Sequence, residues 1–95
     1  MYPSISTNEL KGLVGKVNII DLRDSINYNI GHIPTSRNIN YLDLIINPNN
    51  YISKDSKYYL YCTYGYNSAK TCLSLSKRGF NVINVIGGYN SYLNN

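Results

Sequence analysis

Three short runs rich in β-branched and aromatic residues recur along this chain with helix-length segments between them, and that spacing constrains the fold more than any other feature. The runs are 17–22 (VNIIDL), 57–61 (KYYLY) and 80–85 (FNVINV). Each has the length of a buried strand and is too short for a helix. Between them, residues 25–30 read as a short helix stopped by Gly31, 41–46 as a second, and 67–78 as a longer one closed by Gly79. Ahead of the first run, Ser6-Thr7-Asn8-Glu9 fits a capping box, so a helix starts there and ends near Gly12 or Gly15. Pro34 starts a turn into an edge strand over 37–40, and Asn47-Pro48-Asn49-Asn50 is a loop. Gly87-Gly88 turn the chain into a closing helical turn over 89–93. Strands alternating with helices call for a parallel sheet, because parallel neighbours are joined by a crossover. The expectation is an α/β fold with a mostly parallel central sheet, helices on both faces, and residues 1–95 in a single domain.

Composition narrows function by exclusion. Hydrophobic residues make up 43% and charged residues 15%, and no apolar run approaches the ~18 residues of a membrane span. A soluble globular domain with no membrane partner is expected. The net charge of +4 comes from nine basic residues spread along the chain without a cluster, and the eleven tyrosines sit at strand and helix spacings that serve packing. Nucleic acid is therefore not an expected partner. Met1-Tyr2-Pro3-Ser4 has neither a basic start nor a long apolar region, so the expected location is cytoplasmic. The two cysteines, ten positions apart across a loop and a helix, are poorly placed for a disulfide, and reduced thiols are expected. One histidine and two distant cysteines do not make a metal site of usual spacing.

The second run leads straight into a cysteine and a Gly-containing loop, YLYCTYGYNSA. In a parallel sheet ligands bind beyond the carboxyl ends of the strands, which is where Tyr61-Cys62 falls. The loop from Cys62 to Asn67 is expected to bring its N–H groups, with those of the following helix terminus, toward the sulfur. A helix terminus favours an anion by ~0.3–1 kcal/mol and each N–H bond to a charged group by ~1.5 kcal/mol or more, enough together to favour a thiolate substantially. Gly65 lets the chain take φ > 0, and Ser68 is placed to cap the helix. The competing interpretation is a small hydrophobe at a strand end followed by an ordinary turn.

The rest of the chain bears on that choice. "ISTNEL", "NIIDLRDSINYNIGHIPTSRNIN", "YLYCTYGYNSA" and "GFNVINVIGGYNSYL" resemble, in order and with fitting gaps, four elements of the single-domain rhodaneses. In that family these are the opening strand and helix, the Asp-x-Arg to Gly-His-Ile-Pro segment, the cysteine loop, and the closing strand with its Gly-Gly turn. The resemblance implies a rhodanese-like three-layer fold and sulfurtransferase activity without a cofactor. Cys62 would carry a persulfide, taking sulfane sulfur from thiosulfate or a persulfide donor and passing it to a thiol, cyanide or a protein acceptor in a sulfur relay. Thr63, Tyr64, Gly65, Tyr66, Asn67 and Ser68 would form the substrate-binding loop. Many members carry Arg where this chain has Asn67, which weakens the case for a small dianionic donor. The closing aromatic, commonly Trp, is served by Tyr89 or Tyr92.

Other residues have plainer readings beside their functional ones. Asp21 and Arg23, at a strand end on the rim of Cys62, either orient the loop by hydrogen bonds or form an ordinary ion pair. Lys70 either draws anions toward the pocket or is simply solvated, and Tyr64 and Tyr66 are expected at the pocket mouth. Cys72 is expected buried and inert in the helix after the loop, and His32 is expected to bond backbone within its turn. Two other functions compete: a non-catalytic rhodanese-like binding module, and phosphatase or arsenate reductase chemistry. The latter uses a loop longer by one residue followed by an Arg, and positions 67 to 69 are Asn, Ser and Ala.

Overall fold

The computed structural model describes residues 1–95. Strands β1 (Ser4–Ile5), β2 (Asn18–Asp21), β3 (Arg37–Asn38), β4 (Lys57–Tyr61) and β5 (Asn81–Val85) form one sheet in the order β1-β5-β4-β2-β3. Every pairing is parallel, so the sheet is wholly rather than mostly parallel. β4 lies at its centre, with Asp21 of β2 opposite Tyr61 and Asn84 of β5 opposite Leu60.

The helices are α1 (Thr7–Lys11), α2 (Ser25–Ile30), α3 (Tyr41–Ile46), α4 (Tyr66–Lys77) and α5 (Gly88–Leu93). Side chains alternate across a strand, so each strand supplies both faces of the sheet. Tyr58, Leu60 and Cys62 join Ile20, Leu22 and Val82 on one face, covered by Leu44 of α3 and by Cys72 and Leu75 of α4. Tyr59 and Tyr61 join Ile19, Ile83 and Val85 on the other, covered by Leu10 of α1 and by Tyr89 and Tyr92 of α5. The result is the expected three-layer arrangement. α2 buries none of its residues. No helix is long and apolar enough to cross a membrane.

Local chemistry sets the ends of these elements. The capping box is complete: Glu9 N–H donates to Ser6 Oγ at 3.1 Å while the Glu9 carboxylate accepts from Ser6. α1 accordingly runs from Thr7 and stops at Gly12, the earlier of the two expected positions. At the other end of α4, Phe80 N–H reaches Leu75 C=O at 3.1 Å and Gly79 N–H reaches Ser76 C=O at 3.1 Å, the paired bonds of a Schellman motif. Three expectations need correction. α4 begins at Tyr66, one residue early, because Gly65 and not a side chain forms its N-cap. The edge strand β3 stops at Asn38, and Pro48–Asn50 wind into a 3-10 turn where a plain loop was expected, since proline is preset for a first helical position.

Candidate active site

Cys62 follows the last residue of β4 and sits, 5% exposed, at the floor of a cavity of about 440 Å³. Its sulfur accepts two main-chain hydrogen bonds, from Gly65 N–H at 3.2 Å and Ser68 N–H at 3.3 Å. The first is the N-cap residue of α4 and the second lies in its first turn, so both are orphan donors that the helix itself leaves free. Gly65 adopts φ +97°, the left-handed conformation that turns the chain back over the sulfur. A Cβ there would approach Gly87 N to 3.1 Å, so the position is confined as well as left-handed.

The loop is held from behind by α5. Tyr89 N–H donates to Cys62 C=O at 2.8 Å and Asn90 N–H to Thr63 C=O at 3.0 Å. This contact requires Gly88, where a Cβ would meet Cys62 O at 2.3 Å and Thr63 C at 2.8 Å. The Gly-Gly turn thus clamps the backbone that presents the sulfur.

Ser68 does not cap the helix, contrary to expectation. Its fully buried hydroxyl donates to Asn84 Oδ1 at 2.6 Å and lies 3.4 Å from Cys62 Sγ. With that proton given to Asn84, the oxygen faces the thiol as an acceptor. Asn84 was missed in the sequence, although a polar residue among the buried positions of β5 was a signal that something had to be bonded there.

Asp21 and Arg23 form the ordinary ion pair; neither hydrogen-bonds any residue from Cys62 to Ser68. Arg23 Nη2 lies 2.7 Å from Asp21 Oδ2 and donates to Gly31 C=O at 2.6 Å, while the guanidinium stacks 4.3 Å from the Tyr89 ring centroid. Burial opposes the charge on Arg23, but the hydrogen bonds and negative charge of Asp21 outweigh it and raise its pKa. Asp21 also accepts from Tyr61 OH at 2.6 Å, and burial together with that bond keeps the phenol protonated. The pair therefore braces β2, β4 and the 31–36 turn rather than the cysteine loop.

Thr63, Tyr64, Tyr66 and Asn67 line the cavity, with Leu22, Arg23, Asp24, Asn27, Asn40 and Tyr41 opposite. Tyr64 and Tyr66 stand at its mouth, 59% and 76% exposed, where a partner molecule would meet them. Lys70 is exposed and is not part of the lining. Cys72 is fully buried in α4, and burial, with Cys62 adding to it, pushes its thiol up to about 12. His32 Nδ1 lies 2.8 Å from Tyr28 C=O and the imidazole stacks on the Tyr28 ring, away from the cavity. Both cysteines are free.

A wholly parallel three-layer α/β sheet, with a cysteine cradled at the carboxyl end of its central strand, defines a recognised class of domain. The Rhodanese-like domain model matches residues 6–95, and the chain belongs to that family. A solved structure from Staphylococcus saprophyticus is 32% identical, with a TM-score of 0.87, over 95% of this chain and 92% of that one. A rhodanese-like domain protein from Staphylococcus aureus is 33% identical, covering 95% and 90%, with a TM-score of 0.85. A rhodanese-related protein from Thermoplasma volcanium superposes with a TM-score of 0.88 at 29% identity, covering 98% and 92%. No curated protein matches the chain.

Proposed function

We propose that the chain is a rhodanese-type sulfurtransferase in which Cys62 is the nucleophile. The thiolate attacks the outer sulfur of a persulfide, R–S–SH. The S–S bond of the donor breaks, R–S⁻ leaves, and Cys62–S–SH remains. A thiol, cyanide or a protein thiol then takes the outer sulfur and restores the thiolate, which makes the cycle a two-step covalent one with ping-pong kinetics. No cofactor enters either step. A reducing, cytoplasmic setting suits such chemistry, because both thiols are free.

The observation that carries this reading is the pair of main-chain N–H groups on Cys62 Sγ, from Gly65 and Ser68. Fixed donors aimed at a sulfur that carries charge stabilise that charge without reorganising, as an oxyanion hole does. A merely structural cysteine needs an apolar neighbourhood and no donors.

Intact-mass measurement after exposure to a persulfide donor tests the proposal. The wild-type chain and Cys72→Ser gain one sulfur atom that cyanide removes, and Cys62→Ser gains none. A chain that stays unmodified under these conditions is a binding module, and comparable loading in all three variants excludes a single nucleophile.

A further inference from the structure

The charges around the Cys62 cavity are unequal. Arg23 lines it, but its guanidinium is bound by Asp21, whose carboxylate is fully buried, so the two charges cancel. Asp24 lines it as well and enters no ion pair; its carboxylate accepts only from Asn27, from N–H at 2.8 Å and Nδ2 at 3.1 Å. Asn27, Asn40 and Asn67 contribute neutral amides, and the rest of the lining around Cys62 is aliphatic, hydroxyl and phenolic. The cavity that holds Cys62 thus carries one charge without an ionic partner, and it is negative; Asp24 is otherwise bonded only as the N-cap of α2.

We infer that Asp24 is a specificity-determining residue that turns the cavity against small dianions and selects low-charge persulfide donors. The inference rests on the sulfurtransferase reading above. With thiosulfate, Cys62–S⁻ attacks the outer sulfur of S–SO3²⁻, the S–S bond breaks, and SO3²⁻ leaves Cys62–S–S⁻ behind. That reaction gathers a thiolate and a dianion in the cavity that Asp24 lines. A persulfide brings no added charge when protonated and one when ionised, so the two main-chain donors on the sulfur face a far smaller load. The aromatic and amide lining suits a donor whose carrier is a neutral peptide-like group.

The test compares second-order rate constants for sulfur loading of Cys62, followed by intact mass, from thiosulfate and from the persulfide of an N-acetylated cysteine amide. Asp24→Asn removes the charge and keeps the helix cap, since Asn and Asp cap about equally well. It is expected to raise the thiosulfate constant roughly threefold to tenfold and the persulfide constant less than about twofold. Added salt narrows the thiosulfate gap between wild type and variant, because screening weakens the repulsion that the variant lacks. Asn67→Arg, which supplies a cation on the same rim, moves thiosulfate in the same direction. Asp55→Asn makes the same change in net charge outside the cavity and leaves both constants alone. If Asp24→Asn shifts thiosulfate no further than Asp55→Asn does, the inference is overturned while the sulfurtransferase reading stands. If neither donor loads wild-type Cys62, both fall together.

Discussion

Gly88→Ala puts the clamp on the cysteine loop to a quantitative test. The new Cβ would lie 2.3 Å from Cys62 O and 2.8 Å from both Thr63 C and Thr63 O, all backbone atoms that cannot swing aside. Overpacking of this kind costs ~1–3 kcal/mol. Gly88 also has φ +60°, and holding an L-residue there adds ~1–2 kcal/mol. Displacing α5 weakens the bonds from Tyr89 N–H and Asn90 N–H to the loop, each worth ~0.5–1.5 kcal/mol. The stiffer unfolded chain offsets ~0.4–1 kcal/mol. The net loss comes to about 3–5 kcal/mol, a large part of the ~5–15 kcal/mol that holds a domain together. Gly15→Ala is the matched control, with φ +85° and nothing within 4 Å of its Cβ, and it is expected to cost about 1 kcal/mol or less. The chain has no tryptophan and eleven tyrosines, so urea unfolding followed by tyrosine fluorescence reports both variants. Equal destabilisation by the two substitutions would refute the steric argument and leave only backbone conformation.

Thr35, a β-branched residue at φ +72° between Pro34 and Ser36, occupies a turn position that favours glycine. Thr35→Gly is expected to stabilise the fold by about 0.5–1 kcal/mol and raise Tm by roughly 2–8 °C; a lower Tm contradicts the reading of strain. The buried Cys72 thiol, pushed up to about 12, ionises near its ordinary value of ~8.5 once unfolded. Between those values the unfolded chain has lost a proton that the folded chain keeps. The contribution of Cys72 is therefore fully present below the unfolded value and is lost as pH rises toward 12, at ~1.4 kcal/mol per pH unit. Cys72→Ala removes that slope, so its urea midpoint gains on the wild type between pH 9 and 11; parallel profiles would show that the thiol is not held protonated.

What the sequence made legible was whatever is settled within a few residues. The capping box at Ser6, the stop at Gly79 and the strand runs each carry their own chemistry, and the structure places them within about one residue of expectation. Strand order was less legible, because β1 pairs with β5 across most of the chain and two residues show no period. The cysteine loop was recognisable from Cys62 and Gly65, whereas the partner of Ser68 was not. A serine at the third position of a helix offers a local cap, but Asn84, sixteen residues on, takes its hydroxyl instead. For Arg23 the sequence left two readings open, loop support or an ordinary ion pair; the bonds to Asp21 and to the turn carbonyl of Gly31 form the ion pair, with the residue still in the cavity lining.

The two N–H donors at Cys62 Sγ belong to the main chain, a part of the protein that every residue except proline supplies. The side chains of Thr63, Tyr64, Tyr66 and Asn67, by contrast, point outward and are exposed. Under the proposed function, recognition and reactivity would be written in separate alphabets on the same six-residue segment. A lineage can exchange the outward letters to greet a new partner and leave the sulfur's immediate surroundings as they were. A library randomised at 63, 64, 66 and 67 without proline would vary the cavity mouth and keep both donors on the sulfur, while one spread over 65, 68 and 88 would disturb those donors or the clamp behind them.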